Sequence, residues 1–352
     1  MRIVRLHADG RLRREVLPDP TPGPHDVVLA PQAVGVCGTD THIVAGHFPS
    51  KPPVALGHEV SAIVTQVGEG VSAVSVGDLV TVEPHLYCGI CPSCQLGDVQ
   101  TCTDRRAPGV HLNGGMSELM VVPETIAYPL PAGTPALHGA MTEPIACAVH
   151  AMDRLEARSG LPIAIFGSGP VGAILTSLSR LAGLSPIVVI DPRASRRDLA
   201  SRVGADHVLD PYNDDIQAAA LELTGGAGFA SVIDAVGSGS VVEQAVTVAA
   251  RSATILLFGV ADPEDTATVN PNEIYTKELR LIGTALNPYT HRRAIGLLHR
   301  LPLDELTKAV YTLDQVPEAL EAQKTGEADK VFIAPQELTD RAAFSTEAEV
   351  TA

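Results

Sequence analysis

The sequence predicts an α/β protein of two domains: a doubly wound parallel sheet domain and an irregular, β-rich one. Three observations carry this. From about residue 161, short apolar runs alternate with segments of helical periodicity. Before about residue 148, short β-rich runs are broken every few residues by Gly and Pro. At 352 residues, a prior of roughly 100–200 residues per domain favours two.

The β-rich part contains runs at 26–30, 60–67 and 78–82, interrupted by turn signals in the manner of an irregular antiparallel domain. The doubly wound part begins with a strand at 161–166, a glycine turn at 167–172 and a helix at 171–181. A β-branched strand at 187–190 ends in Asp191, followed by a helix at 194–203 and a strand at 207–209. Helices at 215–223 and 240–250 then alternate with strands at 231–236 and 254–258, and a sixth strand is expected at 278–283. Strands apolar on both faces and separated by helices imply a parallel sheet covered on both sides. The segment after about residue 288 is expected to pack back on the first domain. The expected boundaries are 1–148 with 288–340 for the β-rich domain, 149–287 for the doubly wound domain, and 341–352 for a polar, mobile tail.

Composition narrows the function. The net charge of −16 argues against a phosphate-backbone partner, which selects basic faces. No apolar run reaches the roughly 18–20 residues needed to cross a bilayer, and the start of the chain lacks a secretory core. A cytoplasmic protein with no nucleic-acid or membrane partner is the expectation. Of the 6 cysteines, four cluster as metal ligands; Cys147 is expected to be a small buried apolar residue.

That cluster is Cys88, Cys91, Cys94 and Cys102, spaced C-x2-C-x2-C-x7-C. Short loops between thiolates supply the tetrahedral geometry that zinc prefers, and four sulfurs leave no vacant position, so the site is structural. Cys37 lies upstream, followed by the triplet Gly57-His58-Glu59. A mixed Cys/His/carboxylate set can keep a position open, which is where zinc chemistry occurs. The expectation is two zinc ions per chain.

Gly167-Ser168-Gly169-Pro170-Val171-Gly172 fits G-x-G-x-x-G between a predicted strand and a predicted helix. Glycines there permit a tight turn and close approach of a pyrophosphate, which the helix N-terminus attracts. Asp191 follows Gly172 by 19 residues, near the spacing expected of a ribose-hydroxyl acceptor. Its charge would repel a 2′-phosphate and favours NAD; Arg193, Arg196 or Arg197 could neutralise such a phosphate, which keeps NADP open.

Taken in order, Cys37-Gly38-Thr39-Asp40-Thr41-His42, Gly57-His58-Glu59, the four-cysteine lobe, Thr142-Glu143-Pro144 and the glycine turn resemble the zinc-containing medium-chain dehydrogenase/reductase family. The likeness is greatest to its polyol (sorbitol-type) and threonine dehydrogenase branch, and covers nearly the whole chain. It implies a Rossmann domain beside a GroES-like catalytic domain. It implies Cys37, His58 and Glu143 as ligands of the catalytic zinc, with Glu59 an alternative ligand, and Asp40 orienting the His58 imidazole. Gly38, where ethanol-type members often carry a basic residue, agrees with the polyol branch.

The resemblance further implies that zinc binds the substrate alcohol, that Thr39 accepts its hydroxyl proton, and that His42 relays it. The expected activity is oxidation of a secondary hydroxyl on a polyol with NAD, by a homodimer or homotetramer. Asn287 and Tyr289 would help make a polar pocket; His47, His85 and His111 are read as structural or loop-exposed, with His47 and His111 also able to line the substrate cleft. L-Threonine 3-dehydrogenase, for which no cation to hold the carboxylate is evident, and a small-diol dehydrogenase are the competitors. A non-catalytic nucleotide-binding protein on the same scaffold and a zinc-free reductase are the rivals from other classes.

Overall fold

The computed structural model describes residues 1–306, 308–326 and 328–336. The chain divides into two compact units, one made of Met1–Ala146, His291–Leu298 and the described residues from Leu306 onward, the other of Cys147–Thr290 and His299–Glu305. The expected mobile tail at 341–352 lies outside the described residues.

The first unit opens with a hairpin, β1 (Arg2–Leu6) and β2 (Leu12–Val16). Its main sheet is built on β3 (Asp26–Gly35), buried along most of its length. A short helix, α1 (Gly38–Val44), follows at once. β4 (Glu59–Val67) pairs antiparallel with β3, placing Gly35 opposite Glu59. β5 (Leu79–Val82), the short helix α2 (Pro92–Leu96), β6 (Met120–Pro123) and β7 (Ala127–Pro129) come next. Helices α3 (Ala136–Ala140) and α4 (Thr142–Leu155) close this part of the chain. Helix α4 runs through a segment that the sequence reading leaves inside the β-rich domain. Cys147 on it is half-buried, not fully enclosed as expected.

The second unit is a six-stranded sheet in the order β10-β9-β8-β11-β12-β13, parallel throughout. Its strands are β8 (Ile163–Phe166), β9 (Ile187–Ile190), β10 (His207–Leu209), β11 (Phe229–Asp234), β12 (Ala249–Leu257) and β13 (Arg280–Gly283). The connecting helices are α5 (Pro170–Leu181), α6 (Ala194–Val203), α7 (Ile216–Leu223), α8 (Gly239–Val248) and α9 (Pro271–Lys277). Strands β8 and β9 are buried at every position, as expected of central parallel strands. The order reverses between β8 and β11, and a doubly wound sheet opens its ligand crevice at such a switch point.

Four strands of this sheet differ from the sequence reading: β8 begins two residues later than expected, β12 begins five residues earlier, and β11 and β13 differ for local reasons. β11 stops at Asp234 because that carboxylate accepts from the Val236 and Gly237 amides, both at 2.9 Å, and turns the chain away. β13 starts only at Arg280 because Glu278 takes a left-handed conformation, φ 53°, as the C-cap of α9.

The chain then returns to the first unit through α10 (His291–Ile295), β14 (Lys308–Thr312), α11 (Val316–Thr325) and β15 (Lys330–Ala334). β15 pairs antiparallel with β3, Phe332 lying opposite Gly35. The core of this unit is aliphatic, with Leu29, Leu56, Met116 and Ile333 fully buried.

Candidate functional site

Cys37 is the N-cap of α1, at the point where β3 gives way to helix. His58 and Glu59 stand at the start of β4, the neighbouring strand. One ligand atom each from Cys37, His58 and Glu59 lie within 4.8 Å of one another. Asp40, wholly buried, organises them. It accepts from the Cys37 amide at 3.0 Å and the Gly57 amide at 3.3 Å, and its Oδ1 is 3.5 Å from Nδ1 of His58. Burial works against a charged His58, but the Asp40 carboxylate and the Cys37 sulfur outweigh it and hold the imidazole well above its ordinary pKa. Sulfur, imidazole and carboxylate brought together, the last two buried, form a donor set suited to zinc. With Nδ1 turned to Asp40, Nε2 is the nitrogen left for a metal.

Glu143, in the first turn of α4, is buried, but its carboxylate does not come within 4.8 Å of all three of those atoms. Thr39 and His42 lie on the same short helix as Asp40, three positions apart and so on one face. Thr39 is half-buried and His42 exposed.

The glycine turn is built as a phosphate cradle. Gly167 has φ 94°, and a Cβ on Gly172 would fall 2.0 Å from its carbonyl oxygen, so neither position accepts a side chain. Gly169 is the N-cap of α5 with Pro170 at the first helical position. Asp191 lies buried at the end of β9, accepting from the Ser168 amide at 2.8 Å and the Arg193 amide at 2.9 Å. Arg197 is engaged with the Asp191 and Pro192 carbonyls at 2.8 and 2.9 Å and with Asp210 at 3.1 Å. Arg196 is 3.9 Å from the Asp191 carboxylate, beside Gly169.

The four lobe cysteines also bring one atom each within 4.8 Å of one another. Cys88 and Cys94 sulfurs are 4.0 Å apart, and none of the four is in a disulfide. The Cys88 amide donates to Cys102 sulfur and the Cys91 amide to Cys88 sulfur, both at 3.4 Å. Amides of Cys94 and Thr103 pull the Cys91 thiol down to about 6. From Cys88 to Asp104 only Val99 is buried, so the lobe has almost no apolar core and four thiolates stand in for one.

The comparisons with known proteins now bear on this geometry. Residues 23–132 match the alcohol dehydrogenase GroES-like domain, and residues 170–300 match the zinc-binding dehydrogenase domain. A sorbitol dehydrogenase of Halalkalibacterium halodurans is 32% identical over 94% of this chain and 97% of its own length. An L-threonine 3-dehydrogenase of Pyrococcus horikoshii is 31% identical over 89% of this chain and 92% of its own. The chain belongs to the zinc-binding dehydrogenase family. Among solved structures, a dehydrogenase of this type from Sinorhizobium meliloti with NADP bound superposes with a TM-score of 0.91 at 34% identity, covering 95% of this chain and 99% of that one.

This dehydrogenase is therefore an oxidoreductase of the alcohol, polyol and threonine type, with a GroES-like and a Rossmann-like part, and zinc and a nicotinamide dinucleotide as its cofactors. Among the described residues, no helix is long and apolar enough to cross a membrane.

Two residues escaped the sequence reading. Lys330, buried on β15, pairs with Glu59 at 2.5 Å and donates to the Val36 carbonyl at 3.2 Å. His85, read as structural or loop-exposed, is buried, and Arg105 donates to its Nδ1 at 3.1 Å. Burial first, then the nearby charges of Arg105, His58 and His291, push its imidazole well below the ordinary range. Of the other pocket candidates, Asn287 is buried, Tyr289 and His47 are exposed, and His111 Nδ1 accepts from the Ala107 amide at 3.1 Å.

Proposed function

We propose that this dehydrogenase oxidises a secondary hydroxyl of a polyol or sugar alcohol, with NAD as the preferred acceptor. The observation that carries the reading is the Cys37–His58–Glu59 trio, half-buried at Cys37 and buried at the other two, organised by Asp40, in a chain that also holds the glycine cradle and Asp191. Cys37, His58 and an acidic side chain, Glu143 or Glu59, would hold the catalytic zinc; Cys88, Cys91, Cys94 and Cys102 would hold the structural one. When bound, the catalytic ion supplies Lewis acidity that lowers the pKa of an alcohol, and the dinucleotide supplies the hydride acceptor.

The chain's own residues do the rest. Asp40 fixes the His58 tautomer. Thr39 Oγ1 accepts the substrate's hydroxyl proton, and the exposed His42 imidazole passes it on to solvent. Gly167, Gly169, Pro170, Val171 and Gly172 shape the pyrophosphate seat. Asp191 takes the ribose hydroxyls, and Arg196 borders the same site. The protein acts in the cytoplasm as a homodimer or homotetramer, joined through the edges of the parallel sheet.

Polyol substrates are favoured because a sorbitol dehydrogenase and a D-arabinitol dehydrogenase of Uromyces fabae, 31% identical, are among the relatives. The second reading, L-threonine oxidation, gains from the half-buried Arg105 beside His85, a cation able to take a carboxylate. The test is reduced-nicotinamide absorbance against polyols, diols, L-threonine and simple alcohols with each cofactor, beside metal analysis. Turnover of polyols and two zinc ions per chain support the reading. Turnover of L-threonine alone shifts it to the second, and Cys37→Ser with activity retained removes the catalytic zinc.

A further inference from the structure

Lys51, His85, Arg105 and His111 gather beside His58. The loop at 107–115 is pressed against the backbone of that residue. A Cβ on Gly109 would lie 2.8 Å from the Gly57 carbonyl oxygen and 3.0 Å from the His58 nitrogen. The Gly114 amide donates to the Ala55 carbonyl and the Gly115 amide to the Gly57 carbonyl, both at 2.8 Å. His111 stands in this loop. Its Nδ1 accepts from the Ala107 amide, so Nε2 is the nitrogen that carries the proton. The Lys51 amide donates to the Val110 carbonyl at 3.1 Å, which sets Lys51 alongside. Leu86 and Arg106 exchange backbone bonds at 2.8 and 3.0 Å, which sets Arg105 beside His85. Burial first, then the Arg105 and Lys51 charges, hold the His111 imidazole below its ordinary range.

These cations lack the partners that a chain of net charge −16 could supply. Among the described residues, no carboxylate lies within 4.0 Å of Lys51 or Arg105. Arg105 is half-buried, and the groups that favour its charge are the Tyr87 hydroxyl and the Cys102 sulfur. It donates to Nδ1 of His85 at 3.1 Å, so the His85 proton sits on Nε2. His85 is 5% exposed, and no described group accepts from that Nε2. A half-buried guanidinium without an anion and a buried N–H without an acceptor are both costly. A ligand with an oxyanion for the first and hydroxyl oxygens for the second relieves both.

We propose that Arg105, with Lys51 and His111, binds the anionic end, a carboxylate or a phosphate, of a polyhydroxylated substrate whose reacting hydroxyl lies at the Cys37–His58 site. The assignment rests on the dehydrogenase reading above and narrows its substrate from polyols at large to acidic ones. The planar guanidinium suits either oxyanion, and the exposed Lys51 draws it in from solvent.

The test compares sorbitol, gluconate and sorbitol 6-phosphate, which share one six-carbon chain, on the full zinc-loaded protein with NAD. One of the two anions should exceed sorbitol in kcat/KM by at least about tenfold. Preference for gluconate assigns a carboxylate, and preference for sorbitol 6-phosphate a phosphate. In Arg105→Gln that preference should shrink by about tenfold or more, chiefly through KM. A wild type that treats all three alike, or a ratio unchanged in Arg105→Gln, would overturn the proposal. An unchanged ratio with one metal ion lost would mean that the guanidinium serves only the Cys102 lobe. Calorimetric titration with inorganic phosphate needs no turnover: wild type should bind it, and Arg105→Gln about tenfold more weakly. If none of the alcohols is oxidised, the dehydrogenase substrate reading fails, while the anion site stands or falls on this titration. If Arg105→Gln does not fold, the double variant Lys51→Gln, His111→Gln carries the same two measurements, and equal phosphate affinity there would overturn the site.

Discussion

Asp191→Ala tests how the cofactor is chosen. In the folded chain both carboxylate oxygens are in use, Oδ2 accepting from the Ser168 amide at 2.8 Å and Oδ1 from the Arg193 amide at 2.9 Å. The side chain is 2% exposed, so these are charge-assisted bonds in a dry setting. Each such bond contributes about 1.5–3 kcal/mol. Alanine leaves the Ser168 amide unpaired at the centre of the glycine turn, and this loosening weakens both cofactors alike. The ratio of their affinities isolates the rest. NADH loses a charged acceptor for its ribose hydroxyls, another 1.5–3 kcal/mol or about ten- to hundredfold. NADPH loses no such contact and is relieved of a like charge, with Arg196 remaining 3.9 Å from the old carboxylate position.

The ratio Kd(NADPH)/Kd(NADH) should therefore fall by at least about tenfold. Equilibrium titration by the fluorescence of the reduced nicotinamide measures it cleanly, because the chain has 0 Trp to transfer energy. A ratio unchanged within about threefold, roughly 0.65 kcal/mol, would show that Asp191 shapes the turn without selecting the cofactor.

Other perturbations reach other parts of the fold. Gly172→Ala puts a methyl group 2.0 Å from the Gly167 carbonyl oxygen; overpacking of this kind costs about 1–3 kcal/mol, to be read as a lowered Tm together with weakened NADH binding. Cys91→Ser should lower the metal content by one ion per chain and open residues 88–104 to protease, while far-UV circular dichroism stays nearly constant. The buried His291 imidazole, with Thr81 Oγ1 3.3 Å from its Nε2, is pushed down to about 3 by burial. Its unfolded value is near 6.5. Below that pH the unfolded chain takes a proton that the folded chain refuses. Stability should thus fall as pH drops from about 6.5 towards 3, by about 1.4 kcal/mol per unit for this group, and be indifferent to it above 6.5. Urea unfolding at pH 7.5 and 5.0 should show His291→Gln losing about 2 kcal/mol less than wild type; equal losses would refute the assignment.

What could be read in the sequence was what is local. β9, α6 and β10 were legible to the residue, because β-branched runs, helical periodicity and turn residues are short-range signals. Cys37, His58, Glu59 and the four lobe cysteines were legible because liganding demands particular side chains at particular spacings. Lys330 was not: it is 271 residues from Glu59, and only the pairing of β15 with β3 brings the two together. The burial of His85 was hidden for the same reason, since its partner Arg105 lies across the lobe. The end of β11 depended on a carboxylate capping its own turn, which a run of apolar residues does not announce.

Three adjacent strands hold this metal pocket, with Gly35 on β3 lying between Phe332 on β15 and Glu59 on β4. A donor set fastened to such a ladder cannot drift: a slip of one residue in either pairing would turn its side chains to the opposite face of the sheet.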